Sequence, residues 1–228
     1  MTPEQLAQTI DMTLLAPPAT RDDVLRLCDA ALQWKPASVC VQPIWVRTAV
    51  KALEGSGVPV GTVAGFPTGC TMRPVKTQEI RAAVASGATE IDMVVNLGAL
   101  KSGDWTAVEK ELRDLLETAR VSGLENGPSP IVTKVILECC YLTDDEKRQG
   151  AQMVHDLAAD FVKTSTGFAP GGATLEDVRL LREAVGPATG VKAAGGIRDL
   201  KTALAMLDAG ASRIGTSHAV EILTELAG

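Results

Sequence analysis

Five ionisable residues stand inside aliphatic, β-branched runs, where an ionised group has little water to solvate it. Asp11 lies in Ile-Asp-Met-Thr-Leu-Leu, Asp92 in Glu-Ile-Asp-Met-Val-Val and Lys134 in Ile-Val-Thr-Lys-Val-Ile-Leu-Glu. Lys163 lies in Asp-Phe-Val-Lys-Thr-Ser-Thr-Gly and Lys192 in Gly-Val-Lys-Ala-Ala-Gly-Gly. An unpaired charge in such a strand costs several kcal/mol, so these groups are expected to offset one another at one place. A partly desolvated lysine beside a second ammonium loses its proton more easily, because low dielectric and like charge both disfavour the charged form. The neutral amine attacks a carbonyl, and the protonated imine is an electron sink when the adjacent C–C bond breaks. A carboxylate such as Asp92 moves protons directly or through water. This is Schiff-base aldol chemistry, which calls for no metal and no cofactor. Ser165 shares a strand face with Lys163 and Ala194 shares one with Lys192, so neither amine is crowded. Thr164 and Thr166 fall on the other face for as long as that strand continues. The alternative for all these charges is a set of structural ion pairs, or lysines whose heads reach solvent.

A second signal is glycine at strand ends. Ala194-Gly195-Gly196-Ile197-Arg198-Asp199 and Gly215-Thr216-Ser217-His218 follow two late strand-like runs, and Gly167 and Gly171-Gly172 follow a third. Glycines let backbone N–H groups approach an anion, and a helix N-terminus adds a favourable dipole.

The elements that must position these groups repeat one pattern: a short apolar run, a few polar or glycine residues, then an amphipathic helical stretch. Eight runs are predicted as strands, at 10–15, 38–42, 60–66, 90–95, 132–138, 161–166, 191–194 and 213–217. Most lack polar alternation, as strands of a parallel sheet covered on both faces should. Thr20 with Asp23, and Thr143 with Glu146, have the spacing of helix-starting capping boxes. Val108, Leu112, Leu115, Leu116 and Ala119 share one helical face. Gly87, Gly123 and Gly210 stand where helices are expected to end, and 123–130 reads as a loop. Eight such units without a composition break predict a single (β/α)8 TIM barrel over residues 1–228. Active sites of this fold lie at the C-terminal mouth, with a phosphate cradle after strands seven and eight. An open doubly wound sheet is the alternative, but no GxGxxG turn follows the first strand.

Composition narrows the function classes. The 228 residues are 46% apolar but only 3% aromatic, with a net charge of −6. Both figures oppose nucleic-acid binding, which favours stacking aromatics and basic surfaces. No apolar run approaches the ~18 residues of a membrane span, and Met1-Thr-Pro-Glu-Gln is unlike a signal peptide. The cysteines at 28, 40, 70, 139 and 140 are odd in number and fit no CxxC spacing. They read as reduced thiols of a cytoplasmic protein, with Cys139 and Cys140 as two packed thiols. Cys40, near the end of the second strand, reads as packed; if it reaches the pocket mouth it is a reactive thiol.

These segments, with Ala211-Ser-Arg-Ile-Gly-Thr-Ser, resemble the class I deoxyribose-phosphate aldolase family over nearly the whole chain. The resemblance implies reversible cleavage of 2-deoxy-D-ribose 5-phosphate to D-glyceraldehyde 3-phosphate and acetaldehyde, in deoxyribose phosphate catabolism. It assigns the Schiff base to Lys163, the pKa-lowering second ammonium to Lys192 and proton transfer to Asp92. Asp11, Thr13 and Lys134 are expected on the substrate side. Thr166, Gly167, Gly195, Gly196, Gly215, Thr216, Ser217 and His218 are expected around the phosphorylated sugar. The implied partners are the sugar and aldehydes, with neither nucleic acid nor membrane, and the implied assembly is a homodimer. Met12 replaces a histidine found in many members, and His218 replaces a second serine at the phosphate end. Some members end in a tyrosine-bearing tail; the residues here are Leu226-Ala-Gly228, so the Asp92–water–lysine relay is expected to act alone, at lower turnover. The residues also leave open another aldol pair, a transaldolase-type transfer with weak phosphate dependence, or a sugar-phosphate-binding barrel without catalysis.

Overall fold

The computed structural model describes residues 1–126 and 130–228. Its strands are β1 (Ile10–Leu14), β2 (Ser38–Val41), β3 (Val60–Ala64), β4 (Glu90–Val94), β5 (Val132–Ile136), β6 (Phe161–Lys163), β7 (Gly190–Ala194) and β8 (Arg213–Thr216). They pair in parallel in chain order, and β8 returns to β1, closing the barrel. The helices are α1 (Pro3–Ala7) ahead of β1, then α2 (Arg21–Trp34), α3 (Val46–Ala52), α4 (Arg73–Ala85), α5 (Leu97–Lys101), α6 (Trp105–Asn126), α7 (Asp144–Asp156), α8 (Leu175–Val185), α9 (Leu200–Asp208) and α10 (Ala219–Ala227). Strands alternating with helices give the expected (β/α)8 architecture. Every residue of β2, β3 and β4 is buried, which is why their sequences are continuous apolar runs.

Local signals set most element starts. The Thr20–Asp23 and Thr143–Glu146 capping boxes both form, with the threonine amides donating to the carboxylates at 2.8 Å. The buried stripe of α6 carries Val108, Leu112, Leu115, Leu116 and Ala119. It also continues through Gly123, so that glycine does not end the helix as its type predicts. Packing along the stripe outweighs the ~1 kcal/mol penalty of an interior glycine. Of the loop expected at 123–130, residues 127–129 lie outside the described residues.

Strand ends are shorter than the apolar runs, each for a local reason. At Gly65 the backbone turns left-handed, with φ +63°. At Glu138 it does so again, with φ +57°. Beyond Lys163, the Thr166 amide donates to the Glu138 carboxylate, so the β6 ladder stops before 166. Cys139 and Cys140 open a 3-10 turn after β5; Cys139 is buried, but Cys140 is exposed and not the packed thiol expected. Among the described residues no helix is long and apolar enough to cross a membrane.

An ion pair absent from the sequence expectations ties α4 to α6. The ammonium of Lys76, fully buried, donates to Glu111 Oε2 and to the Val94 carbonyl, each at 3.0 Å. Gly65 lies against this lysine: an added Cβ would sit 2.7 Å from Lys76 Cε, at a φ only glycine adopts readily. Removing one partner of a buried pair strands the other charge. Glu111→Ala is therefore expected to lower unfolding free energy by about 3–5 kcal/mol in urea titration. The apolar pair Lys76→Met with Glu111→Leu should recover most of that loss. An unchanged urea midpoint in Glu111→Ala would refute the role of the pair.

Candidate active site

Strand register brings the five sequence-isolated charges together. Asp92 on β4 lies beside Lys134 on β5, and Lys163 on β6 beside Lys192 on β7. Lys192 in turn lies beside Arg213 on β8. The side chains point into the barrel, where water is excluded and each charge must find a counter-charge. Lys163 and Lys192 both donate to Asp92 Oδ2, each at 2.7 Å. Lys134 donates to Asp92 Oδ1 at 2.9 Å and to Glu90 Oε2 at 2.5 Å. Lys192 also pairs with Asp11 Oδ2 at 2.5 Å, and Arg213 with Asp11 Oδ1 at 2.6 Å. The Ser38 hydroxyl donates to the same Asp11 oxygen at 2.8 Å. The Arg213 guanidinium lies over the Phe161 ring, 5.2 Å from its centroid.

Four cations here face three carboxylates: Lys134, Lys163, Lys192 and Arg213 against Asp11, Glu90 and Asp92. With all seven ionised, the cluster keeps one surplus positive charge. The group that gives up a proton most easily is the one whose desolvation is least offset. For Lys163, burial pushes the ammonium below its ordinary pKa and the Lys192 charge adds to this, outweighing Asp92. For Lys192, burial acts the same way, but Asp11 and Asp92 overcome it and hold the pKa above the ordinary value. Lys134 is also raised, because Asp92, Asp11 and Glu90 outweigh its burial. Burial opposes ionisation of Asp92 too, yet the three lysines hold it well below the carboxylate range. The arrangement therefore holds the Lys163 ammonium less firmly than those of its neighbours, between the Lys192 ammonium and the Asp92 carboxylate.

Access selects the same residue. A cavity of about 330 Å³ opens at the C-terminal mouth, and of the three lysines in the cluster only Lys163 lines it. Thr13, Thr166, Gly167, Gly195, Gly196, Gly215, Thr216, Ser217 and His218 line it as well. Asp11 and Lys134, expected on the substrate side, lie one inward layer deeper and are absent from its wall. Asp11 precedes the wall residue Thr13 by two positions, and Lys134 pairs in register with Phe161, two positions before Lys163. Both are held there by ion pairs and serve as counter-ions in the cluster.

The glycine-rich end has a specific shape. Gly195 and Gly196 have φ +88° and +81°, and a Cβ on Gly172 would fall 2.3 Å from the Gly195 carbonyl oxygen. That close approach lets the loops after β6 and β7 lie against each other. On the other side α10 starts at Ala219 with no side-chain cap, since His218 makes no capping hydrogen bond. Its start directly follows the wall residues Ser217 and His218, which brings the positive end of the helix dipole close to the mouth. Thr216 does not offer a free donor there: its hydroxyl donates to the Ile197 carbonyl at 2.7 Å and accepts from the His218 amide. Arg198, not singled out from the sequence, adds an exposed cationic residue to the same wall.

Cys40 faces neither solvent nor the cavity. It packs with Leu15, Val63 and Phe66, and burial, reinforced by the Asp92 charge, pushes its thiol up to about 11. A thiol so held carries little thiolate near neutral pH, which supports the packed reading over the reactive one. Besides Arg198, the site residues Glu90, Arg213, Glu138 and Phe168 were not singled out from the sequence. Glu90 and Arg213 begin their strands, so their runs give no sign that they turn inward.

The chain from residue 5 to residue 220 matches the family model described as DeoC/LacD family aldolase. A deoxyribose-phosphate aldolase of Desulfitobacterium hafniense is 51% identical over 219 residues, covering 96% of this chain and 97% of that protein. One from Thermococcus gammatolerans is 48% identical over 220 residues, covering 96% and 95%. Among solved structures, the tetrameric deoxyribose phosphate aldolase of Aeropyrum pernix superposes with a TM-score of 0.89 at 33% identity, covering all of this chain and 93% of that one. With a lysine–carboxylate cluster at the mouth of a (β/α)8 barrel and a family match spanning most of its length, this chain belongs to the DeoC/LacD aldolase family.

Proposed function

We propose that the protein reversibly cleaves 2-deoxy-D-ribose 5-phosphate to D-glyceraldehyde 3-phosphate and acetaldehyde through an imine on Lys163. The observation that carries this reading is the coincidence of access and protonation: the one buried lysine lining the cavity is also the one whose ammonium is destabilised. The neutral amine attacks C1 of the open-chain sugar, and the carbinolamine loses water to give a protonated imine. The Lys192 ammonium supplies the proton that turns the leaving hydroxyl into water. The iminium cation then stands where the Lys163 ammonium stood, within reach of Asp92 Oδ2, whose fixed charge stabilises it.

Removal of the C3 hydroxyl proton, through water to the Asp92–Lys192 pair, breaks the C2–C3 bond. Its electrons move into the iminium, leaving an enamine, and C3 departs as the aldehyde of glyceraldehyde 3-phosphate. Protonation at C2 and hydrolysis release acetaldehyde and restore the amine. The 5-phosphate is placed at Gly195, Gly196, Ser217 and the α10 N-terminus, where backbone amides and the helix dipole favour an anion. Thr13, Gly167, Gly215, Thr216 and His218 complete the walls between the two ends.

Incubation with acetaldehyde and borohydride should leave a reduced ethyl adduct on Lys163, located by peptide mass spectrometry; an unmodified Lys163 would reject the imine. Lys192→Met removes a like charge beside Lys163, so the Lys163 pKa rises and its neutral fraction falls. The acid limb of the kcat/KM–pH profile should move to higher pH, with kcat falling at least a hundredfold; an unmoved limb would exclude the pKa-lowering role. For the phosphate, kcat/KM should be over a hundredfold higher for the 5-phosphate than for plain 2-deoxyribose. Equal values would favour a phosphate-independent aldol reaction, the alternative that His218 keeps in view.

A further inference from the structure

We propose that Glu138 is a positioning residue for this reaction, acting through Thr166 to fix the cavity wall that borders Lys163. The inference rests on Lys163 being the imine lysine. Glu138 follows β5 and takes a left-handed backbone, with φ +57° and ψ +62°. Among the described residues, Lys35 and Ala158 are the other non-glycine residues with positive φ, and both lie at helix ends, where that conformation is common. Glu138 instead precedes the 3-10 turn Cys139–Tyr141, on the N-terminal side, where a left-handed residue is not the usual cap and its side chain makes no capping bond. A strained conformation that persists after a strand, at the mouth of a barrel, is held by its surroundings and points to a role for the side chain it aims.

That side chain is 2% exposed and directed across to the next strand's loop. Its Oε1 accepts from the Thr166 amide at 3.1 Å, and its Oε2 accepts from the Thr166 hydroxyl. Because that hydroxyl donates to the carboxylate, its oxygen is left to accept, and it takes the Phe168 amide at 3.1 Å. Thr166 and Phe168 both line the Lys163 cavity. Phe168 in turn meets Phe66, from the loop after β3, edge to face at 5.2 Å between centroids. A second backbone bond, from the Cys139 amide to the Thr164 carbonyl at 2.8 Å, fastens the same two loops. One carboxylate thus anchors Thr166, the third residue after the reactive lysine's own strand ends. Glu138 also faces a second, more apolar cavity of about 490 Å³ on its other side, so it stands in the partition between the two. Burial pushes its carboxyl up against the opposing pull of Thr166 and the Lys163 charge, consistent with a group kept here for its bonds to one partner.

Misplacing a wall beside the reacting atoms lowers turnover more than it lowers binding. The test is a double-mutant cycle on kcat, with borohydride trapping and thermal unfolding run on every variant. Glu138→Gln is expected to retain the thermal midpoint and the Lys163 adduct while kcat falls about tenfold or more, with KM little changed. Thr166→Val removes the hydroxyl bond of the same link, and with it the acceptor of the Phe168 amide, while the backbone amide bond stays; it should lose kcat by a similar factor. The double variant should be no slower than Thr166→Val alone. Glu138→Gly relieves the left-handed backbone, so it keeps the chain folded should the glutamine variant fail, and it should show the same loss of kcat. Parental kcat in a folded Glu138 variant, or fully additive losses in the double variant, would overturn the inference. Absence of a Lys163 adduct in the parent would instead overturn the imine assignment, independently of these comparisons.

Discussion

The structure turns on the burial of charge inside a closed barrel. Three lysines and an arginine are held out of water by three carboxylates, and Asp92 is the hub that two lysines share through one oxygen and a third reaches through the other. Removing any one counter-charge would leave another ion stranded in a dry interior, at a cost far above that of a surface pair. The cluster therefore locks the register of β1, β4, β5, β6, β7 and β8 to one another. It also leaves one positive charge in surplus, and that surplus falls on the lysine with fewest compensating anions. The lowered pKa of Lys163 is in this sense a property of the whole ring, since the raised values of Lys134 and Lys192 are the other side of the same balance.

Around that ring, small residues decide what can approach. Gly215 lies where a Cβ would meet Lys192 Cε at 3.0 Å, so the β8 strand yields space to a lysine on β7. Gly172 and Gly195 allow the loops after β6 and β7 to touch backbone to backbone. The uncapped start of α10 lies beside them. An acidic protein can thus carry a mouth suited to an anion, because the favourable field comes from oriented amides and a few local cations, not from net charge.

Much of this was legible in the residues because the relevant signals are local. A charge within an aliphatic run is anomalous wherever the run ends up, so Lys163, Lys192, Asp92, Lys134 and Asp11 stood out. Glycine at the ends of the last strands marked the close-packed loops of the mouth for a similarly local reason. Glu90 and Arg213 did not stand out, because a charged residue at the edge of a run looks like ordinary solvated termination. Lys76 and Glu111 sit on helices, where a charge on the wrong face is detectable only once the neighbouring helix is known. Glu138 followed an apolar run as a loop residue would, and nothing in its sequence neighbours indicates a partner 28 residues away.

The sequence by itself determined the repeating strand–helix order, the capped helix starts and which side chains would be costly to bury, since these follow from periodicity, short-range hydrogen bonds and desolvation. It also carried the family resemblance, through segments that survive as strings. Only the tertiary structure decided which lysine is accessible, which has its ammonium destabilised by burial and which are held charged by neighbouring carboxylates. Those outcomes depend on distances of a few ångströms between residues as much as 202 positions apart, as Asp11 and Arg213 are. Coulomb energies in a low-dielectric interior vary steeply over that range, and only closure of the barrel brings those residues within it.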